Sequence, residues 1–210
     1  MADPLTTLAN GAAKVLGRTL TDAEVALFNK YLELLLKWQK TVRLIGRVGP
    51  GWVVENLLLD SLLFLRALPD SYGSLLDLGA GAGLPGIPLR IVRPDIRLVL
   101  VEARQRRASF LSTAVRELGF SGVEVVNARA EDVVGQFSKR FEAVVMRCAG
   151  KTEALIPLAT RFVQDGGSVV VSGPPAGAQS ASSPDWIEIA GIPEVRSGAA
   201  RRFRVVRVRS

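Results

Sequence analysis

The chain has 210 residues, 48% of them hydrophobic and 22% charged, a balance that suits one sizeable globular domain with a small appendage. A single cysteine, Cys148, and no histidine exclude an internal disulfide framework, zinc sites built on histidine or several cysteines, and any mechanism that needs imidazole. The formal net charge of +7 points to an anionic partner, most simply a nucleic acid.

No apolar run approaches the ~18 residues that a membrane span requires. The start, Met-Ala-Asp-Pro, has neither the basic stretch nor the apolar core of a signal peptide. A cytoplasmic protein without membrane contact or metal is expected. Thr21-Asp22-Ala23-Glu24 has the form of a capping box. Apolar residues at Val25, Leu27, Phe28, Tyr31, Leu32, Leu35, Leu36 and Trp38 then follow helical spacing. Gly46 through Gly51 is a break, and a second helix is expected from Trp52 to about Arg66. Residues 1–70 read as a helical N-terminal appendage, and 71–210 as a separate domain.

After Gly73 the texture changes to alternating strands and helices. Strands are expected at Leu75–Leu78, Arg97–Glu102, Val123–Val126, Ala143–Met146 and Ser168–Val171. Helices are expected at Pro85–Arg93, Gln105–Leu118 and Thr152–Val163. Gly173–Pro184 reads as a mobile Pro/Gly/Ala/Ser loop. Trp186–Ile189 and Phe203–Val208 read as two closing strands with no helix between them. The fold class is α/β: a Rossmann-like, mostly parallel sheet with helices on both faces and an antiparallel edge.

The chemistry centres on Leu75-Leu76-Asp77-Leu78-Gly79-Ala80-Gly81-Ala82-Gly83-Leu84-Pro85-Gly86, a buried strand, a glycine-rich turn and a helix start. Glycine lets the backbone turn tightly and lets a ligand lie on bare main chain. Two registers fit. Gly81 to Gly86 matches the dinucleotide pattern G-x-G-x-x-G. Asp77 to Gly83 matches D-x-G-x-G-x-G, a pattern associated with S-adenosylmethionine (SAM). The second register starts the turn where the apolar run ends and gives Asp77 a task, accepting from the cofactor's amino group. It is the favoured one, with Gly79 and Gly81 against the cofactor. Glu102, at the tip of the next strand, is placed to accept from ribose hydroxyls, which either cofactor would offer. The loop from Asn127 to Asp132 can lay the main chain of Ala130 and Glu131 beside an adenine. Arg147 ends the fourth strand on the side where ligands bind in open α/β sheets, and arginine suits guanine O6. Cys148 has no adjacent base and reads as structural.

With these residues in place, the chain resembles the RsmG (GidB) family of 16S ribosomal RNA guanine-N7 methyltransferases. Asp77 to Leu89 resembles the family signature, and Leu84-Pro85-Gly86-Ile87-Pro88 is more specific than the glycines. Ile91-Val92-Arg93-Pro94, Arg106-Arg107 before Phe110-Leu111, Arg129-Ala130-Glu131, Leu35-Leu36-Lys37-Trp38 and Leu59-Asp60-Ser61-Leu62 continue the likeness, over roughly residues 20–172. The resemblance implies a class I methyltransferase fold over 71–210, SAM as methyl donor, and 16S rRNA or the small ribosomal subunit as partner. It carries Gly79, Leu84, Ala130, Glu131 and Arg147 to the SAM site, with Arg147 also the candidate catalytic residue. Arg43, Arg129 and Arg202 are the candidate RNA contacts, Arg202 by its match to a family arginine. A monomer is expected.

The chain departs from the family pattern where Arg43-Leu44-Ile45 replaces Asn-Leu-Thr, where Leu57 replaces histidine and where Ser172 replaces lysine. Those positions bear on RNA more than on the cofactor. Two rivals stay open: a nicotinamide-dependent oxidoreductase, and an RNA-binding relative without activity. The first needs a hydride-transfer acid, yet the chain has no histidine, and both tyrosines, Tyr31 and Tyr72, precede the glycine loop.

Overall fold

A helix that the apolar periodicity does not reveal opens the chain. α1 (Pro4–Leu16) is started by Asp3, whose side chain accepts from the Thr6 N–H, and is stopped by Gly17 in the left-handed region. Its buried face is built from small residues as well as Leu8: a Cβ on Gly11 would stand 2.6 Å from Leu59 Cδ1. Such a face carries little hydrophobic signal. The computed structural model describes residues 3–46, 49–147, 152–173, 186–195 and 198–209.

α2 (Asp22–Gln39) begins with the expected capping box, Thr21 and Glu24 bonding each other's backbone N–H groups. The expected helix at Trp52–Arg66 is four pieces: α3 (Pro50–Val53), a π-helical turn over Val54–Leu58, α4 (Leu59–Leu62) and a 3-10 turn over Leu63–Arg66. The remaining elements are β1 (Ser74–Leu78), α5 (Gly86–Val92), β2 (Arg97–Val101), α6 (Gln105–Glu117), β3 (Val123–Val126), α7 (Val134–Phe137), β4 (Phe141–Arg147), α8 (Thr152–Thr160), β5 (Val163–Ser172), β6 (Trp186–Ile189) and β7 (Arg201–Arg207).

The seven strands form one sheet in the order β3-β2-β1-β4-β5-β7-β6. β1 to β5 are parallel; β7 runs antiparallel to β5, and β6 antiparallel to β7. One boundary needs correction. Val163, expected to end a helix, begins β5 because it pairs with Phe141 across a register shift in β4. The long-range ladder overrides the local helical pattern there. Of the expected loop at Gly173–Pro184 only Gly173 is among the described residues, and Cys148 lies outside them.

The two-residue period of the strands sorts their side chains onto two faces. Leu75, Leu98, Leu100, Ala143 and Val145 join one buried cluster with Leu8, Phe28, Leu35, Leu58 and Phe64 from the helices that precede the sheet. Leu76, Val99, Val101, Val144 and Met146 form the other, with Phe137 and Ile156 of α7 and α8. The N-terminal helices share this core with β1, the strand that carries the glycine loop, and pack against α5 and α6. Among the described residues no helix is long and apolar enough to cross a membrane.

Candidate active site

The chain leaves β1 at Leu78, and Gly79 already has φ +78°. The turn starts where the D-x-G-x-G-x-G register puts it. The N–H groups of Gly79 and Ala80 both donate to the Val101 carbonyl, at 2.9 and 3.0 Å, tying the loop to the end of β2. The glycines divide into two kinds. A Cβ on Gly79 would meet nothing within 4 Å, so its bare main chain faces open space. A Cβ on Gly83 would fall 2.5 Å from Ile87 Cδ1, and one on Gly86 2.7 Å from Leu100 Cδ2. Gly79 thus leaves its main chain open and Gly81 makes only ordinary contacts, while Gly83 and Gly86 let helix and sheet close together. Leu84 between them is buried.

Asp77 is fully buried, and its Oδ2 accepts from the Gly86 N–H at 2.8 Å. The sequence gives Asp77 one task; the structure adds a second, fixing the start of α5. Its Oδ1 has no hydrogen-bond partner among the described residues, and a buried orphan acceptor is costly. Burial pushes the carboxyl up to about 7, against the lowering influence of the Gly86 N–H and of Arg147; the Glu102 charge adds to the rise. An acceptor held this way fits a cationic donor such as an ammonium group.

Glu102 follows β2 and is buried. Its Oε2 accepts from the Gly81 N–H at 2.9 Å and its Oε1 from the Arg104 N–H at 2.8 Å. A carboxylate offers about four acceptor positions, so ribose hydroxyls remain within its capacity. Asn127 clamps the same corner, its Nδ2 donating to the Glu102 carbonyl at 2.9 Å. Ala130, half-buried, caps the 3-10 turn Glu131–Val133 that follows β3, and Glu131 is exposed. The register places Asp77 opposite Leu100 and Val145. Asp77, the loop, Glu102 and Arg147 therefore meet at the carboxyl ends of β1, β2 and β4, with Ala130 and Glu131 one strand further along.

Arg147 reaches away from a purely solvent-facing pose. Its Nη2 donates to the Asn56 carbonyl at 2.8 Å and lies 3.1 Å from Asp60 Oδ2. Asp60, on α4, is fully buried and also faces Arg201 of β7, whose Nε is 2.7 Å from Oδ1. Of the neighbouring pair, Arg201 turns inward; Arg202, the expected RNA contact, is partly exposed and faces Glu188 Oε2 at 3.3 Å. Arg43 and Arg129 are exposed.

Three further residues complete the site: Asp60, Arg201 and Tyr31. Asp60 holds Arg147 and is itself faced by Arg201; in the sequence Asp60 stands out as a charge inside the apolar run Leu57–Leu63 and within the family-like Leu59-Asp60-Ser61-Leu62. Tyr31 looks like core on the face of α2, but its hydroxyl donates to the Ala82 carbonyl at 2.5 Å. It braces the glycine loop from the N-terminal helices. Tyr31→Phe is expected to lower stability by about 1–3 kcal/mol, since it strands a buried carbonyl. Urea unfolding measures this, and a midpoint equal to that of the parent protein would show the brace to be idle.

Comparison with known proteins agrees with this geometry. The family described as "rRNA small subunit methyltransferase G" (GidB) matches residues 24–174. A relative from Sorangium cellulosum, named ribosomal RNA small subunit methyltransferase G, is 38% identical over 175 residues, 82% of this chain and 73% of its own. One of the same name from Pelotomaculum thermopropionicum is 35% identical over 183 residues, covering 85% and 77%. Among solved structures, cofactor-bound Rv0187 from MTB superposes over 100% of both chains with TM-score 0.64 at 18% identity. M. jannaschii TYW2 in complex with AdoMet covers 72% of this chain and 75% of its own with TM-score 0.56 at 14% identity. The sheet and its helices are those of a class I methyltransferase. With the loop register, the acid after β2 and the family match in agreement, this chain belongs to the rRNA small subunit methyltransferase G family.

Proposed function

We propose that the protein transfers the methyl group of SAM to N7 of a guanine in 16S rRNA of the small ribosomal subunit, acting as a cytoplasmic monomer. The observation that carries the cofactor half is the buried Asp77 with its orphan oxygen below a glycine loop that opens on empty space. Asp77, Gly79, Gly81, Leu84, Glu102, Ala130, Glu131 and Arg147 would hold SAM, which supplies an electrophilic methyl group when bound. We take 71–210 as the methyltransferase unit and 1–70 as an appendage that braces its loop and offers Arg43 to RNA, with Arg129 and Arg202 as further contacts.

The side chains have little covalent work to do. Guanine N7 carries a free lone pair, so no base has to remove a proton, and a chain without histidine suffices. Catalysis then rests on positioning and on excluding water, worth up to about 7–11 kcal/mol in favourable cases. Arg147, held between the Asn56 carbonyl and Asp60, would present its guanidinium to guanine O6.

The test of the function is methyl incorporation from labelled SAM into unmethylated small subunits, with the labelled nucleotide mapped. Label on guanine N7 of 16S rRNA is expected. Binding of SAM and RNA without transfer would instead fit the inactive RNA-binding relative. Arg147→Lys keeps a cation beside Asp60 but loses the fork. It is expected to lower kcat/KM by roughly 5- to 150-fold, the ~1–3 kcal/mol of a good base contact. Full turnover by this variant would remove Arg147 from the reaction.

A further inference from the structure

Arg43, Arg104, Arg106 and Arg107 line one pocket of about 290 Å³, together with Val42 and Gln105. Arg43 comes from the turn after α2; the other three come from the start of α6. Among the described residues no acidic side chain lines this pocket. Among the described residues none of the four guanidinium groups makes an ion pair or a hydrogen bond. Elsewhere Arg18, Arg93, Arg97, Arg116, Arg147, Arg201 and Arg202 each face a carboxylate, and the other arginines without a side-chain partner among the described residues, such as Arg129, Arg140 and Arg161, are scattered; this pocket gathers four around one hollow. Four uncompensated cations around one hollow repel one another. An arrangement that costs stability in the free protein is explained by a ligand that supplies the missing charge.

The backbone agrees with the side chains. α6 is 13 residues long and opens at this pocket with no acidic residue in its first turn and no side-chain cap. Its first N–H groups and its dipole favour an anion at that end. Guanidinium forks match the oxygens of a phosphate.

The pocket also adjoins the cofactor loop. Arg107 Nη1 lies 3.7 Å from the point where a Cβ on Gly81 would stand. The Arg104 N–H is bound to Glu102. SAM carries no phosphate, so a phosphate here belongs to a second ligand lying next to the cofactor. We propose that these four arginines grip a backbone phosphate of the RNA substrate, beside the nucleotide presented for methylation. The proposal rests on the methyltransferase reading above. The same phosphate chemistry has one other source, since an arginine after the ribose-binding acid also suits the 2′-phosphate of NADP.

The experiment uses the full chain carrying Arg43→Ala with Arg106→Ala. Both side chains are exposed, so the double variant keeps its core. Affinity for a 16S rRNA transcript is measured across a range of salt. Losing the one phosphate contact should flatten the log–log salt slope by about 0.7–0.9, with SAM affinity within twofold of the parent. Arg97→Ala, an exposed arginine at the far end of β2, should keep the parental slope.

An unchanged slope in the double variant overturns the proposal. So does NADP binding that is tight in the parent and lost in the double variant, which would assign the pocket to a dinucleotide. The two readings fail separately. If the parent protein transfers no methyl group yet the slope flattens, the enzymatic reading falls and the phosphate site stands. If the parent methylates the subunit and the slope does not move, the phosphate site falls alone.

Discussion

Asp60→Ala is expected to destabilise the protein by about 3–5 kcal/mol, the usual result of removing one partner from a buried ion pair. Asp60 has no exposed surface, and it separates Arg147 at 3.1 Å from Arg201 at 2.7 Å. Without the carboxylate, two guanidinium groups would face each other with most of their surface withdrawn from water. Set against a total stability of roughly 5–15 kcal/mol, the loss is large enough to leave part of the protein unfolded at working temperature. The carboxylate also joins three parts of the fold: α4 before the sheet, the end of β4, and β7 at the antiparallel edge. Guanidinium unfolding reads the effect directly. Asp60→Asn keeps the shape and loses the charge, and it should fall between parent and alanine variant. A loss below 1 kcal/mol for Asp60→Ala would mean that water or rearrangement replaces the carboxylate at little cost.

The second large effect concerns pH. Burial raises the Asp77 carboxyl from its ordinary 3.8 to about 7. The folded protein thus holds this proton more tightly than the unfolded chain does. The stabilising contribution is complete below 3.8 and is lost as pH rises through about 7. At ~1.36 kcal/mol per unit of pH between those limits, it approaches about 4 kcal/mol. Unfolding free energy measured from pH 4 to 8 should fall over that window in the parent and less steeply in Asp77→Asn.

Cofactor binding should run the other way. A ligand that donates a cationic N–H to Asp77 selects the carboxylate. Affinity for SAM should therefore weaken up to about tenfold per unit below pH 7 and level off above it. Calorimetry from pH 5.5 to 8 tests this, and a flat profile would take Asp77 out of the cofactor contact. Asp77→Asn, which cannot ionise, should bind weakly with little pH dependence.

The local parts of the fold were legible in the sequence. β1, β2 and β3 announce themselves as short apolar runs bounded by turns, and the Thr21–Glu24 cap marks the start of α2 within a residue. The glycine loop was legible as well, because positive φ at Gly79, Gly81 and Gly83 is a demand that few residues but glycine meet.

What remained hidden depends on groups far apart in the chain. Asp60 and Arg201 are 141 positions apart, and Tyr31 and Ala82 are 51 apart. No periodicity reports such pairs. The bond from Gly86 to Asp77 spans nine positions across an irregular turn. It is invisible until the path of that turn is known. The same holds for the arginine pocket. Its residues lie in two segments separated by the whole of β1 and β2, and nothing in the sequence shows that Arg43 and Arg104–Arg107 share one hollow.

The bond from Tyr31 to Ala82 makes the glycine loop and α2 parts of one thermodynamic unit. A contact that displaced α2 would pull on the carbonyl in the middle of the cofactor loop. Linkage then imposes reciprocity: by whatever factor RNA on the N-terminal helices changes the affinity for the cofactor, the cofactor changes the affinity for RNA by the same factor. The order in which the two ligands arrive can alter the rates, but it cannot alter that product.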